Sequence, residues 1–118
     1  METKKVELID NMVRELRRGT IVISVLSQLQ DQAYGYNLVN SLSEKGFNIE
    51  ADTLYPLLRR LENQGLLESS WDTSESRPRK YYKISALGQD VYQSLLAEFE
   101  NLYRSITRLT GSENNETD

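Results

Sequence analysis

A chain of 118 residues with 38% hydrophobic and 27% charged side chains has the make-up of an ordinary globular protein, with room for one domain and a modest core. It contains no cysteine and no histidine, which excludes disulfides, thiol nucleophiles, most zinc sites and the commonest general base. The formal charge of −4 argues against a nucleic-acid partner only until its distribution is considered. Setting aside Glu113, Glu116 and Asp118 at the end moves −4 to −1, and Ser76 to Ile84 carries Arg77, Arg79, Lys80 and Lys83 with no acid among them. No apolar run is long enough to cross a bilayer and METKKVELID has no signal-peptide pattern, so a cytoplasmic chain without a membrane partner is expected.

Lys5 to Leu16 places Val6, Ile9, Val13 and Leu16 at helical spacing, with Leu8 and Met12 alongside, and predicts an amphipathic helix serving either core packing or subunit contact. Gly19 interrupts it. From Thr20, a capping residue by type, Ile21, Val22, Val25, Leu26 and Leu29 form the broad apolar face of a core helix. Gln30 to Ala33 reads as a turn, and Tyr34-Gly35-Tyr36 opens the next helix, with Leu38, Val39 and Leu42 facing inward before Lys45-Gly46 ends it. The amino end of that helix offers unpaired N–H groups to a phosphate oxygen and a tyrosine hydroxyl adds a donor, although the two rings are equally suited to the rim of the core. Phe47 and Ile49 are expected to complete the core.

Ala51 to Leu67 is the most informative stretch. Leu54, Leu57, Leu58 and Leu61 recur at i, i+3, i+4 and i+7 and gather on one buried helix face. Asp52, Pro56, Arg59, Arg60 and Asn63 then point outward, with Thr53 and Tyr55 on the flanks. Asp52 has the better capping chemistry at the start, Pro56 is tolerable only near the first turns, and Gly65 is a left-handed stop. Two short helices followed by this third one make a helix-turn-helix. Its outward face offers guanidiniums that bond guanine or phosphate, which makes Thr53, Tyr55, Pro56, Arg59 and Arg60 candidate DNA-reading residues.

Leu66 to Asp72 and Arg79 to Ser85 read as two antiparallel strands joined by the polar loop Thr73 to Pro78, forming a wing. Tyr82 and Ile84 alternate with Tyr81 and Lys83, so one pair closes over the helices and the other faces solvent. Arg77, Arg79 and Lys80 are candidate contacts to flanking phosphates, against the alternative of a solvated hairpin whose charges protect an edge strand. Ser85 is a cap for the last helix. There Tyr92, Leu95, Phe99, Leu102, Ile106 and Leu109 step by three and four in a coiled-coil seam that Leu96 and Tyr103 widen. Too short to be stable alone, the seam calls for a twin, with Val6, Ile9 and Val13 of the first helix as further interface residues.

Four blocks resemble the PadR family of bacterial transcriptional regulators. Thr53 to Glu62 with Gly65 is similar to its TLYPLLxRLExxG signature. Arg18, Gly19 and Thr20 and then Tyr34, Gly35 and Tyr36 follow its order upstream, and Arg79, Lys80, Tyr81, Tyr82, Ser85 and Gly88 resemble its RKYYxLTxxG segment. The resemblance spans roughly Leu16 to Leu109. It points to Glu50 near the cap of the third helix and implies a dimeric winged helix of the short branch, with one long C-terminal helix. It further implies an inverted-repeat operator, and a candidate pocket for a small aromatic effector at Phe99 and Tyr103, because Phe99 stands where multidrug-binding relatives carry a tryptophan.

The expected fold is therefore mainly α with a small β-hairpin. Residues 1–85 form a winged helix-turn-helix with an N-terminal helix, 86–110 a dimerisation helix, and 111–118 a disordered acidic tail. No phosphate loop, nucleophile elbow or clustered carboxylates are present, so no enzyme, cofactor or metal is expected. The expected function is a homodimeric, ligand- or stress-responsive repressor that binds double-stranded DNA. The alternatives are a winged-helix protein-interaction adaptor and a ligand-binding dimer that does not read DNA.

Overall fold

Apolar periodicity sets where the chain becomes helical and where it becomes extended. In the computed structural model, which describes residues 2–112, the elements are α1 (Glu2–Arg18), α2 (Ile21–Ser27), β1 (Ala33–Tyr34), α3 (Gly35–Glu44), α4 (Ala51–Asn63), β2 (Leu67–Asp72), β3 (Arg79–Ile84) and α5 (Ala86–Leu109). Residues 113 onward, most of the expected acidic tail, lie outside the described part. No helix among the described residues is long and apolar enough to cross a membrane.

The core sits beneath α4. Leu54, Leu57, Leu58 and Leu61 are all buried, and they meet Val25, Leu26 and Leu29 from α2 and the turn after it, Leu38 and Leu42 from α3, and Leu66, Leu67, Tyr82 and Ile84 from the sheet. Burying a leucine side chain in such a cluster contributes about 1.5–3 kcal/mol, so these four residues lock which face of α4 is turned inward. The helix ends at Gly65, whose φ of 81° lets its N–H bond the Glu62 carbonyl while the Leu66 N–H reaches Leu61. That turn delivers the chain directly into β2.

Thr20 holds its expected N-cap position without capping through its side chain, and of the two starts left open for α4 the one at Glu50 is taken. Thr20 stands at the N-cap of α2 with φ −107° and ψ 0°, outside the extended conformation that aims a capping oxygen at the first turn, and its hydroxyl instead donates back to the Arg17 carbonyl at 2.8 Å. Glu50, not Asp52, is the N-cap of α4; Asp52 lies inside the first turn, where its charge complements the helix amino end. Pro56 lies beyond that first turn, on the exposed side of the helix, so the backbone bond it omits is lost where solvent reaches.

The expected two-stranded hairpin is a three-stranded antiparallel sheet in the order β1-β3-β2. Ala33 pairs with Tyr82 and Tyr34 with Tyr81, covering an edge of β3 that would otherwise be open. Two residues are too few to show strand alternation, and Gln30 to Ala33 looked like a plain turn for that reason. The β2–β3 register sets Leu67 opposite Ile84, Ser69 opposite Tyr82 and Trp71 opposite Lys80, so this set shares the face that closes on α4.

α5 is fastened to this body at its first turn. Ser85 accepts a hydrogen bond from the Gly88 N–H at 2.9 Å and donates its hydroxyl to the Gly65 carbonyl at 2.6 Å, while its own N–H bonds Leu66 at 3.0 Å. Val91 and Tyr92 pack on the core, and beyond them the helix leaves it. α1 buries none of its residues. Its end is tied down by Arg17, which donates to the Asn48 carbonyl and lies 4.7 Å from the centre of the Phe47 ring.

The joint at Gly88 is tight enough to be tested. A Cβ there would lie 2.1 Å from the Leu66 carbonyl oxygen and 2.8 Å from Ile84, whereas one at Gly19 would meet nothing within 4 Å. Gly88→Ala is expected to destabilise the protein by about 1–3 kcal/mol, the usual cost of overpacking, and to lower Tm by several degrees. Gly19→Ala should be close to neutral. Equal melting temperatures for Gly88→Ala and wild type would contradict the joint.

Candidate nucleic-acid interface

With the leucines of α4 committed to the core, Asp52, Thr53, Pro56, Arg59, Arg60 and Asn63 are exposed on the opposite side, and Tyr55 is half-buried at the flank. Neither Arg59 nor Arg60 makes a salt bridge with a described residue. Thr53, Pro56 and Arg60 border a groove of ≈ 330 Å³ shared with Arg18, Ile21 and Val22. The helix thus presents two exposed cations, a hydroxyl and hydrogen-bonding groups on one face.

At the start of α3, the predicted trio separates into different roles. Gly35 is buried, and a Cβ at that position would meet Tyr55 at 3.2 Å and Tyr82 at 3.3 Å, so the absent side chain makes room for both rings. The Tyr34 ring stacks between Tyr81, at 4.0 Å between centroids, and Tyr36, at 5.4 Å. Tyr81 donates its hydroxyl to Tyr34, and Tyr34 donates to Asp72 Oδ2 at 3.0 Å. The one proton of Tyr34 is therefore already engaged, whereas Tyr36 keeps an exposed ring at the head of α3.

The wing cations also differ in their surroundings. Arg77 is exposed in the loop between β2 and β3 and has no salt bridge to a described residue. Arg79 pairs with Glu75 at 3.1 Å, and its guanidinium lies 5.3 Å from the Tyr34 ring centre and 5.7 Å from that of Tyr36. Lys80 is turned toward α4, where its ammonium reaches Glu62 at 3.3 Å. Arg79 thus joins the tyrosines in one aromatic and cationic cluster, and Lys80 belongs to a different one.

Electrostatics follow this geometry. The Tyr34 phenol is pushed up to about 12, chiefly by its hydrogen bond with Tyr81, then by desolvation and by Asp72. The Asp72 carboxyl is held below the usual range by bonds from the Ser74 hydroxyl and backbone N–H and from Tyr34. Glu62 is likewise lowered, first by Ser69 and then, against desolvation, by Lys80. Sequence reasoning had not singled out Glu62, Ser69, Asp72 or Tyr81 as site residues. The Glu62–Lys80 contact spans 18 positions and the Tyr34–Asp72 contact 38, and no local pattern reveals such separations.

At the seam, Tyr92 and Leu95 are half-buried in the single chain, while Phe99, Leu102, Tyr103, Ile106 and Leu109 are exposed, Leu109 by 84%. Phe99 and Tyr103, the candidate ligand residues, lie on this open face. Val6, Ile9 and Val13 are exposed on α1 together with Leu8, Met12 and Leu16. Among the described residues no group of three or more acids, histidines or cysteines is arranged to hold a metal ion.

A helix-turn-helix whose third helix is outward-facing, followed by a small sheet and wing, defines a winged-helix protein. The model of the PadR-like family of transcriptional regulators matches residues 22–94, and the chain belongs to that family. It is 49% identical to a PadR family transcriptional regulator from Eggerthella lenta, whose structure superposes with a TM-score of 0.87 over 96% of this chain and 99% of that one. A transcriptional regulator of Mycobacterium tuberculosis is 30% identical over 95 residues, 80% of this chain and 89% of that protein. PadR from Bacillus subtilis, whose structure is in complex with operator DNA, shares the fold at 17% identity, with a TM-score of 0.61 over 65% of this chain and 45% of that one. The chain is a transcriptional regulator of this family and not an enzyme.

The Tyr34 bonds carry a pH signature. Because its folded value lies above the ordinary value near 10, the contribution to stability is full below about pH 10 and is lost as pH rises through about 12. Alkaline absorbance titration of the seven tyrosines should show a late-ionising component while helical circular dichroism persists, and Tyr34→Phe should remove that component. A late component of the same size in Tyr34→Phe would contradict the assignment.

Proposed function

We propose that this protein is a sequence-specific DNA-binding repressor that works as a homodimer on an inverted-repeat operator. The carrying observation is the outward face of α4, with Arg59 and Arg60 exposed, without salt-bridge partners among the described residues, and oriented by the buried leucines behind them. An α-helix fits the major groove, and a guanidinium forms two bonds with a guanine edge or binds a phosphate. Thr53, Tyr55 and Pro56 complete the reading face. Tyr36 with the amino end of α3, and Arg77 and Arg79 at the wing, contact flanking phosphates. The operator complex of the Bacillus subtilis relative supports this reading.

Dimerisation is supported by the two apolar stripes that the single chain leaves uncovered. Phe99, Leu102, Tyr103, Ile106 and Leu109 on α5, and Val6, Ile9 and Val13 on α1, are large apolar side chains left exposed in rows along their helices, the mark of an interaction surface. A second copy covers both stripes and sets two α4 helices at the spacing of a two-fold operator. A flat aromatic effector seated beside Phe99 and Tyr103 tilts the α5 pair and relieves repression. The site of action is the cytoplasm, where the operator lies.

Gel-shift titration against the DNA upstream of the protein's own gene and its neighbour, repeated at several salt concentrations, tests the reading. Arg59→Ala and Arg60→Ala should each cost about 1–3 kcal/mol of operator binding with Tm nearly unchanged. Arg77→Ala should flatten the salt dependence by about one unit of slope with little change in sequence preference. Undiminished affinity in both the Arg59 and Arg60 variants would overturn the assignment.

A further inference from the structure

We propose that Glu62, Ser69 and Lys80 form a clasp that sets the angle of the wing to α4, making Glu62 and Lys80 positioning residues for DNA recognition and Lys80 no phosphate contact. The inference rests on the DNA-reading role proposed above. Glu62 stands in the last turn of α4, where a carboxylate opposes the partial negative charge of the helix carboxyl end. A residue locally disfavoured there requires compensation from outside the helix. It has two sources: the Ser69 hydroxyl donates to Oε2, and the Lys80 ammonium lies 3.3 Å from Oε1. Both carboxylate oxygens are thereby engaged, one by each strand of the wing.

The register explains why these two strands meet one carboxylate. Ser69 lies opposite Tyr82 and Trp71 opposite Lys80, so Ser69 and Lys80 share the sheet face that closes on α4. The Lys80 ammonium also lies 5.3 Å from the Tyr82 ring centre and 5.7 Å from that of Trp71, which confines it on the sides that Glu62 does not occupy. The base of the sheet is held on α4 by the Gly65–Leu66 turn and by the packing of Leu67, Tyr82 and Ile84 on the α4 leucines, whereas nearer the wing tip Trp71 is exposed and the polar contact of the sheet with α4 is the clasp. The attachment at Glu62 extends that hold from the apolar base toward the wing tip and fixes the angle there.

A fixed angle matters because Arg77 at the wing tip and Arg59 and Arg60 on α4 must reach one duplex together. A wing held at its bound angle loses less freedom on binding than a loose one. The charge of Lys80 is spent on Glu62, so it adds nothing to counterion release. On the other face of the sheet, the Tyr34–Asp72 bond ties the end of β2 to β1, so the sheet that the clasp holds is itself braced.

The test uses the full chain and operator DNA. Glu62→Gln, Lys80→Met, the double variant and the reversed pair Glu62→Lys with Lys80→Glu are each measured with and without Arg77→Ala across a salt series. Expected are losses on the order of tenfold for Glu62→Gln and for Lys80→Met, a double variant no weaker than either single one, and recovery in the reversed pair. The salt slope should be unchanged by Lys80→Met, and Arg77→Ala should weaken wild type but have little effect in Glu62→Gln. Tighter binding by Glu62→Gln, together with a slope about one unit flatter in Lys80→Met, would overturn the clasp by making Lys80 a phosphate contact. An Arg77→Ala penalty equal in wild type and Glu62→Gln would overturn it with the DNA reading intact. A wild-type protein that binds no DNA at any salt would remove that reading as well.

Discussion

Burial of Leu54, Leu57, Leu58 and Leu61 against α2, α3 and the sheet is the constraint on which the rest of the structure depends. An α-helix has one rotation that buries these four together, and that rotation leaves Thr53, Pro56, Arg59 and Arg60 outside. Orientation of the outward face is thus a by-product of core packing. Substitutions on that side leave the fold undisturbed, because the exposed residues contribute little to the core. The same packing carries the Gly65 turn and therefore the position of β2, so the wing and the outward helix share one origin.

From that centre, order is passed along two routes. One runs through Leu66, Ser85 and Gly88 into α5, where backbone comes so close to backbone that no side chain fits. The other runs through Arg17, which fastens the end of α1 to the segment just before α4 by its bond to Asn48 and its contact with Phe47. Both helices with uncovered apolar stripes are therefore mechanically connected to the body that carries α4. In the dimer proposed here, the close backbone approach at Gly88 couples how two α5 helices meet to the spacing of the two α4 helices.

Long periodic elements were legible in the sequence, and features created by tertiary contact were not. The leucine period of α4, the apolar steps of α5 and the Ser85 cap were readable because each lies within a few residues and follows from backbone geometry alone. β1 was not, since two residues carry no alternation and Ala33 and Tyr34 are extended only because Tyr81 and Tyr82 pair with them. Thr20 and Asp52 have the right chemistry for caps, but capping depends on a backbone conformation that neighbouring turns decide. The wing looked like three equivalent cations. Its pairings with Glu75, Glu62 and the tyrosines separate Arg79 and Lys80 from Arg77, and all but the Glu75 pair join residues far apart along the chain.

Methylation protection of guanine N7 on the DNA upstream of the gene tests most directly whether α4 reads the major groove as one of a two-fold pair. N7 lies on the major-groove edge, and a bidentate arginine covers it. The account predicts two protected patches centred about one helical turn apart, roughly 34 Å, both lost when Arg59 and Arg60 are replaced by alanine. Protection that is absent, limited to a single patch, or unchanged in the doubly substituted protein would contradict it.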